Sequence, residues 1–298
     1  MPTRQPLTLS GLGIVSHLLA GVLPFVSAGT MRRLGLFPGV AALYLVGSVV
    51  LVLGVAHGRV RQALADETRA LFAAGARTPF VLGLAGFAVA GVAYYVGLAG
   101  SPRVAEYVFL TRLDWLVQAP VAILLLREPW TGRGLAGGIL ALAGGVMLTW
   151  TGSIEAGGIA AAALYIVASL VGYSYFARLS AARGAAGAVA LTMWRHGVNT
   201  LGFGVLAVSV APPGPGWSAD GLGMAALAGV LIVVLFLLRF IALTGLPLWV
   251  LAVQAPTQAL VAIAVTLATG GELPAPTLVA IGLIVLGEVL VTAQKVSG

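Results

Sequence analysis

Ten apolar stretches, each long enough to cross a bilayer, fill almost all of this 298-residue chain, and the last five can be laid over the first five. A hydrocarbon core about 30 Å thick needs about 20 apolar residues at helical rise. The stretches fall near Leu9 to Gly29, Phe37 to Ala56, Phe80 to Leu98, Val104 to Leu126, Gly134 to Trp150, Gly157 to Phe176, Ala186 to Val210, Gly221 to Leu238, Leu248 to Thr269 and Pro276 to Thr292. A mean hydropathy of +1.06 with 8% charged residues leaves little chain for a water-soluble domain. The sequence therefore predicts an all-α integral membrane protein of ten transmembrane helices. The first stretch has no cleavage-site pattern and is too long and Gly-interrupted for a signal segment, so it is expected to stay in the bundle.

Composition narrows the chemistry. The 41 glycines suit a bundle whose backbones approach closely. With no cysteine, thiolate catalysis, thiolate metal ligation and disulfides are excluded. The net charge of +7 does not point to nucleic acid, because basic residues stand singly in short connections and form no interleaved basic and aromatic patch. The charge reads instead as a topology signal. With the N-terminus inside, the inner segments hold Arg4, Arg59, Arg61, Arg69, Arg77, Arg127, Arg133, Arg178, Arg183 and Lys295, against Arg32, Arg33 and Arg103 outside. Both termini are thus expected in the cytoplasm. The longest connection, His57 to Thr78, reads as an amphipathic surface helix, with Val60, Leu64, Leu71 and Phe72 on one side and Arg61, Asp66, Glu67 and Arg69 around the other.

The repeat shows in the sequence itself. Near the end of the fourth stretch the chain reads LLLREPWTGRGLAGGILALAGGVML and near the end of the ninth TLATGGELPAPTLVAIGLIVLGEVLV, so that Glu128 matches Glu272 and Gly138 matches Gly282 at one offset of 144. Five helices is an odd number, so a duplicated unit inserts upside down, as in many secondary transporters. The expected halves are 1–152 and 153–298, inverted about a central cavity at the midplane.

The five-plus-five layout, the acidic turns Glu128-Pro129 and Glu272-Leu273, the Gly-rich helix after each, and the Trp194-Arg195 pair of the seventh stretch resemble the drug/metabolite transporter superfamily in its EamA-type branch. The likeness spans nearly the whole chain on diffuse motifs. It implies a bacterial inner-membrane exporter of amino acids or aromatic metabolites working by alternating access. Members of that exporter group carry aromatic and proline residues where this fourth helix has Arg112, Asp114 and Trp115.

Ionisable residues inside a membrane are costly enough to be functional candidates, and the fourth stretch is richest in them. Tyr107, Thr111, Asp114 and Gln118 share one helical face at steps of 4, 3 and 4, flanked by Arg112 and Trp115. Such a stripe offers an acidic partner for an amine and an aromatic wall for a cation or ring. Asp114 or Arg112 also suits a structural pairing between helices, and Glu106 falls near the outer end beside Arg103. In the sixth stretch Tyr165, Ser169, Tyr173 and Phe176 recur at steps of 4, 4 and 3, a face for packing or for stacking a substrate. Trp194, Arg195, His196 and Asn199 stand near one end of the seventh, where Arg195 either meets a carboxylate or snorkels to the interface.

Lighter candidates are Gln254 and Gln258, on one face around Pro256, together with His17 beside Ser16 and Pro24. His17, Asp114 and Glu288 are the candidates for proton coupling, and Glu288 is also a candidate partner for Arg239. Tyr94 and Tyr95 read as an interfacial aromatic belt. Gly134, Gly138, Ala141 and Gly145 make a small-residue face for packing within the fold or across a homodimer. No phosphate loop, HExxH metal site or GxSxG nucleophile elbow is present.

The sequence thus points to a membrane carrier of a small-molecule substrate in a lipid bilayer, with no catalytic residues, cofactor or metal. Another metabolite or a drug is the alternative cargo. An enzyme acting on a lipid-linked substrate would need clustered acid, base or metal-binding groups, and here they are dispersed. A channel would show filter segments or pore rings, and a sensor an output domain; neither is evident.

Overall fold

The computed structural model describes residues 5–56, 58–101, 107, 110–111, 114–124, 126–127, 131–149, 156–210, 217–258, 260–261, 264, 268 and 275–292. Its helices are α1 (Gln5–Leu34), α2 (Leu36–Gly54), α3 (Gly58–Leu71), α4 (Ala74–Gly100), α5 (Asp114–Leu124), α6 (Gly132–Thr149), α7 (Ala156–Ser209), α8 (Ala219–Ala242), α9 (Leu248–Val253) and α10 (Ala275–Thr292), with a 3-10 turn at Ala255–Thr257. No strand occurs among the described residues. Five segments, Thr8–Leu34, Leu36–Gly54, Ala74–Gly100, Gly157–Ser209 and Ala219–Ala242, are long and apolar enough to cross a membrane. Leu45, Leu53, Leu201, Val205 and Val208 lie exposed on their outer faces, a surface suited to lipid rather than water. This is the makeup of a membrane-embedded helical protein.

Local sequence explains several boundaries. Gly35 stands at φ +87°, which only glycine adopts cheaply, and so separates α1 from α2 by a single residue. Ser218 starts α8 by accepting the Gly221 N–H at 3.1 Å on its side-chain oxygen. The sixth and seventh stretches, expected as helices with a connection between them, instead form 156–183 and 185–209 with only Gly184 breaking the helical path, at φ +64° and ψ −159°. The ninth stretch departs further. It begins as the six-residue α9 and breaks into a 3-10 turn, because Pro256 has no N–H to give the ladder. Of the fourth stretch, Arg112, Glu106 and Arg103 lie outside the described residues, as do Glu128 and Glu272 of the repeat and the Trp115 side chain.

The helices pair in a regular way: α4 runs along α7, α8 along α1 and α2, α6 along α10, and α5 crosses α9. The α6–α10 contact is backbone on backbone. A Cβ on Gly137 would stand 2.7 Å from the Gly287 carbonyl oxygen, and one on Gly287 would stand 2.5 Å from the Ala141 nitrogen. The packed face holds Gly137, Ala141 and Gly144, with Gly138 turned to Val253; of the face expected from Gly134, Gly138, Ala141 and Gly145, Ala141 lies on this seam.

At one end of the bundle α3 lies across α7, where Arg183 donates to Glu67 at 3.4 Å and to the Ala70 carbonyl at 3.0 Å. As expected for an amphipathic helix, α3 buries Leu64 and Leu71 and exposes Arg61, Asp66 and Arg69. At the other end, Leu34, the last residue of α1, packs against Gly221 in the first turn of α8. The protein interior between these ends is rich in rings: Phe87 touches Tyr173, Phe176, Phe236 and Phe240 at centroid distances of 4.9 to 6.1 Å.

Candidate functional site

Two cavities meet in the middle of the bundle. The larger, about 60 Å3, is lined by Ala20 and Leu23 of α1, Tyr44 of α2, and Phe87, Ala90, Gly91, Tyr94 and Tyr95 of α4. From later in the chain come Tyr165, Ser169, Tyr173 and Arg195 of α7, with Ile232, Leu235, Phe236 and Arg239 of α8. The smaller, about 20 Å3, is lined by His17, Asp114, Gln118, Tyr173, Arg239, Leu251, Ala252, Ala255 and Gln258. Tyr173 and Arg239 belong to both and form the partition. A small-molecule pocket usually runs to about 300–1,000 Å3, whereas a cavity of this size holds a few waters. The helices around it must therefore part before a metabolite can enter.

Arg195 dominates the larger cavity. Its guanidinium carbon stands 3.3 Å from the Phe236 ring centroid, 5.2 Å from Phe87 and 5.8 Å from Tyr44. Cation–π attraction to three rings offsets part of the cost of burying the charge. One nitrogen reaches the Tyr44 hydroxyl at 3.4 Å, while Nε and Nη1 have no hydrogen-bond partner. The side chain is only 5% exposed, so it does not snorkel to an interface.

Arg239 holds the partition together. It donates from Nη1 to the Tyr173 hydroxyl and from Nη2 to His17 Nδ1 at 3.1 Å, and its Nε is unpartnered. The bonding pattern fixes the His17 tautomer. Nε2 donates to the Leu251 carbonyl at 2.8 Å, so Nδ1 is the acceptor, shared by Arg239 and by Gln258 Nε2 at 2.7 Å. His17 thereby joins α1 to α8 and to the broken ninth segment.

Asp114, at the first turn of α5, is 6% exposed and accepts from Gln118 Nε2 at 3.1 Å and from the Tyr165 hydroxyl at 3.4 Å. It lines the smaller cavity together with Arg239. The stripe read from the fourth stretch thus splits: Asp114 and Gln118 reach a cavity, whereas Tyr107 packs on α4, donating to the Ala93 carbonyl at 3.1 Å, and Thr111 is fully buried. The sixth-stretch face is brought together at the larger cavity by Tyr165, Ser169 and Tyr173, with Phe176 behind them in the ring cluster.

Other candidates sit elsewhere. Trp194 turns away from its neighbour Arg195. It donates to Thr68 at 3.4 Å and lies against Phe72 and Phe80 in a crevice under α3. Gln254 donates to Ser10 at 2.6 Å, outside both cavities. Glu288 is buried on α10 and is not among the partners of Arg239. Tyr94 and Tyr95 are 8% and 2% exposed and line the larger cavity rather than standing in an interfacial belt.

Sequence reading passed over Tyr44, Phe87, Phe236 and the cavity role of Arg239. An arginine one residue past the drawn end of the eighth stretch was the one available signal, since a charge there is buried unless it reaches water. Among the described residues no group of three or more His, Asp or Glu side chains is placed to hold a metal.

No family model and no curated protein matches the chain. Among 27 matching chains of solved structures, one described simply as the crystal structure of a protein superposes with a TM-score of 0.73 at 19% identity, over 95% of this chain and 97% of that one. At that identity the likeness shows a shared fold and nothing about activity.

Proposed function

We propose that the chain is a secondary transporter of the drug/metabolite superfamily type, exporting small metabolites, amino acids with aromatic or apolar side chains foremost, across the bacterial inner membrane. Residues 1–152 and 153–298 are read as inverted five-helix repeats with both termini cytoplasmic. The observation that carries this reading is the larger cavity, a ring-walled chamber with buried charge, lined by α1, α2 and α4 from one half and by α7 and α8 from the other. The pairing supports it. Exchanging the halves turns the packing of α4 on α7 into that of α8 on α1 and α2, and leaves α5–α9 and α6–α10 unchanged. A midplane site between repeats, beside a broken helix, is a common plan for alternating access.

Counterflow in proteoliposomes tests the reading. Vesicles loaded in turn with unlabelled amino acids and other metabolites should draw in the labelled compound above empty-vesicle controls. Absence of counterflow across the panel, with protein shown to be folded, overturns it.

A further inference from the structure

Resting on that transporter reading, we infer that the larger cavity selects organic anions, holding an oxyanion head group at Arg195 with Arg239 behind it, and that an amino group on the cargo is dispensable. Among the described residues lining this cavity the only charged ones are these two arginines, each 95% buried by its 5% exposure. A guanidinium keeps its charge at any physiological pH, so the chamber carries two positive charges that the membrane penalises. Rings answer only part of that cost. Phe236 serves both cations, at 3.3 Å from Arg195 and 5.8 Å from Arg239.

The donor inventory points the same way. Arg195 has Nε and Nη1 free and Arg239 has Nε free, and buried donors of this kind are left unmade only at a cost. A carboxylate, or another compact oxyanion on an organic body, supplies charge and acceptors together in short, charge-assisted bonds. The rest of the wall is apolar or aromatic, which suits a ring or alkyl body. A cationic amine has no equivalent place there. Asp114, the carboxylate nearest in function, lies at the smaller cavity and already accepts from Gln118 and Tyr165.

Binding of phenylalanine, phenylacetate and phenethylamine to the purified full-length protein in detergent, by calorimetric titration, separates head-group chemistry on one aromatic body. The two acids should bind, phenylacetate at least as well as phenylalanine, and phenethylamine at least tenfold more weakly. Arg195→Gln should weaken both acids at least tenfold, and Arg195→Lys, which keeps the charge, by less.

Equal binding of phenethylamine and phenylacetate, or acid binding undiminished in Arg195→Gln, overturns the anion site. If Arg195→Gln does not fold, the acid-to-amine ratio of the unsubstituted protein and the Arg195→Lys variant decide. Counterflow of other metabolites with no preference for acids overturns this inference and leaves the carrier standing. No counterflow for any acid, amine or neutral compound overturns both.

Discussion

Arg239 of α8 donates a hydrogen bond to the Tyr173 hydroxyl of α7, and that bond is the partition between the two cavities. Tyr173→Phe leaves a buried guanidinium donor unmade, which should lower stability by about 1–3 kcal/mol, read as thermal unfolding in detergent. Tyr173→Ala also removes the ring that meets Phe87 edge to face at 4.9 Å. It should weaken aromatic and apolar cargo more than polar cargo, and equal loss for both would deny Tyr173 a wall role.

Asp114→Asn keeps an acceptor for Gln118 and Tyr165 but removes a negative charge that shares the smaller cavity with Arg239. Less repulsion of an incoming anion should tighten phenylacetate binding by about threefold to tenfold, the scale of one charge at short range in a partly polar medium. Unchanged binding and transport in a folded variant would place Asp114 outside the working cavity.

Gly184 is strained for any other residue, and its surroundings isolate the cause. Nothing lies within 4 Å of where a Cβ would stand, so Gly184→Val meets no clash and pays only for a backbone region that glycine alone occupies readily. A loss of about 1–3 kcal/mol is expected. A melting temperature equal to that of the unsubstituted protein would show that the connection relaxes without cost.

How much of this was legible beforehand follows from what each signal depends on. The apolar, all-helical character of the chain is legible because hydropathy needs no knowledge of neighbours, and five segments are long and apolar enough to cross a membrane; α3 is legible because Leu64 and Leu71 stand apart from Arg61 and Arg69 at helical spacing. Face assignments fared less evenly. Tyr165, Ser169 and Tyr173 were found because polar and aromatic residues alternate with aliphatic ones on that helix. Phe87 and Phe236 were not, since a phenylalanine in an apolar helix looks alike whether it packs or lines a chamber. The divergence of Trp194 from Arg195 was likewise hidden, because adjacent helical residues point about 100° apart and only the packed neighbours, α3 on one side and α8 on the other, decide which faces inward.

The α6–α10 seam gives a prediction with its own control. Gly137→Ala puts a methyl group 2.7 Å from the Gly287 carbonyl oxygen and should cost about 1–3 kcal/mol by overpacking. Gly282, matched to Gly138 by the repeat, has open space around it, so Gly282→Ala should be neutral or slightly stabilising. Similar melting temperatures for the two variants would mean that the seam can open without penalty.

The absence of cysteine makes topology directly measurable. Trp217→Cys and Ala63→Cys place single thiols at exposed positions, just before α8 and on α3 respectively. If both termini lie inside, as proposed, an impermeant maleimide should label the first in intact spheroplasts and the second only after permeabilisation. The reverse order would invert the assigned orientation.

The ring shared by two guanidiniums has one more consequence. Phe236 stands where a counterion would, offering both guanidiniums the weak, diffuse attraction of a neutral ring that cannot leave. In the proposed anion site, an arriving oxyanion therefore has no salt bridge to break among the described residues, and it meets guanidinium donors already seated on a ring. On that proposal the head group and the body of the cargo bind side by side, and a compound with the right head but no body to lay beside Phe236 would make only half of the contacts.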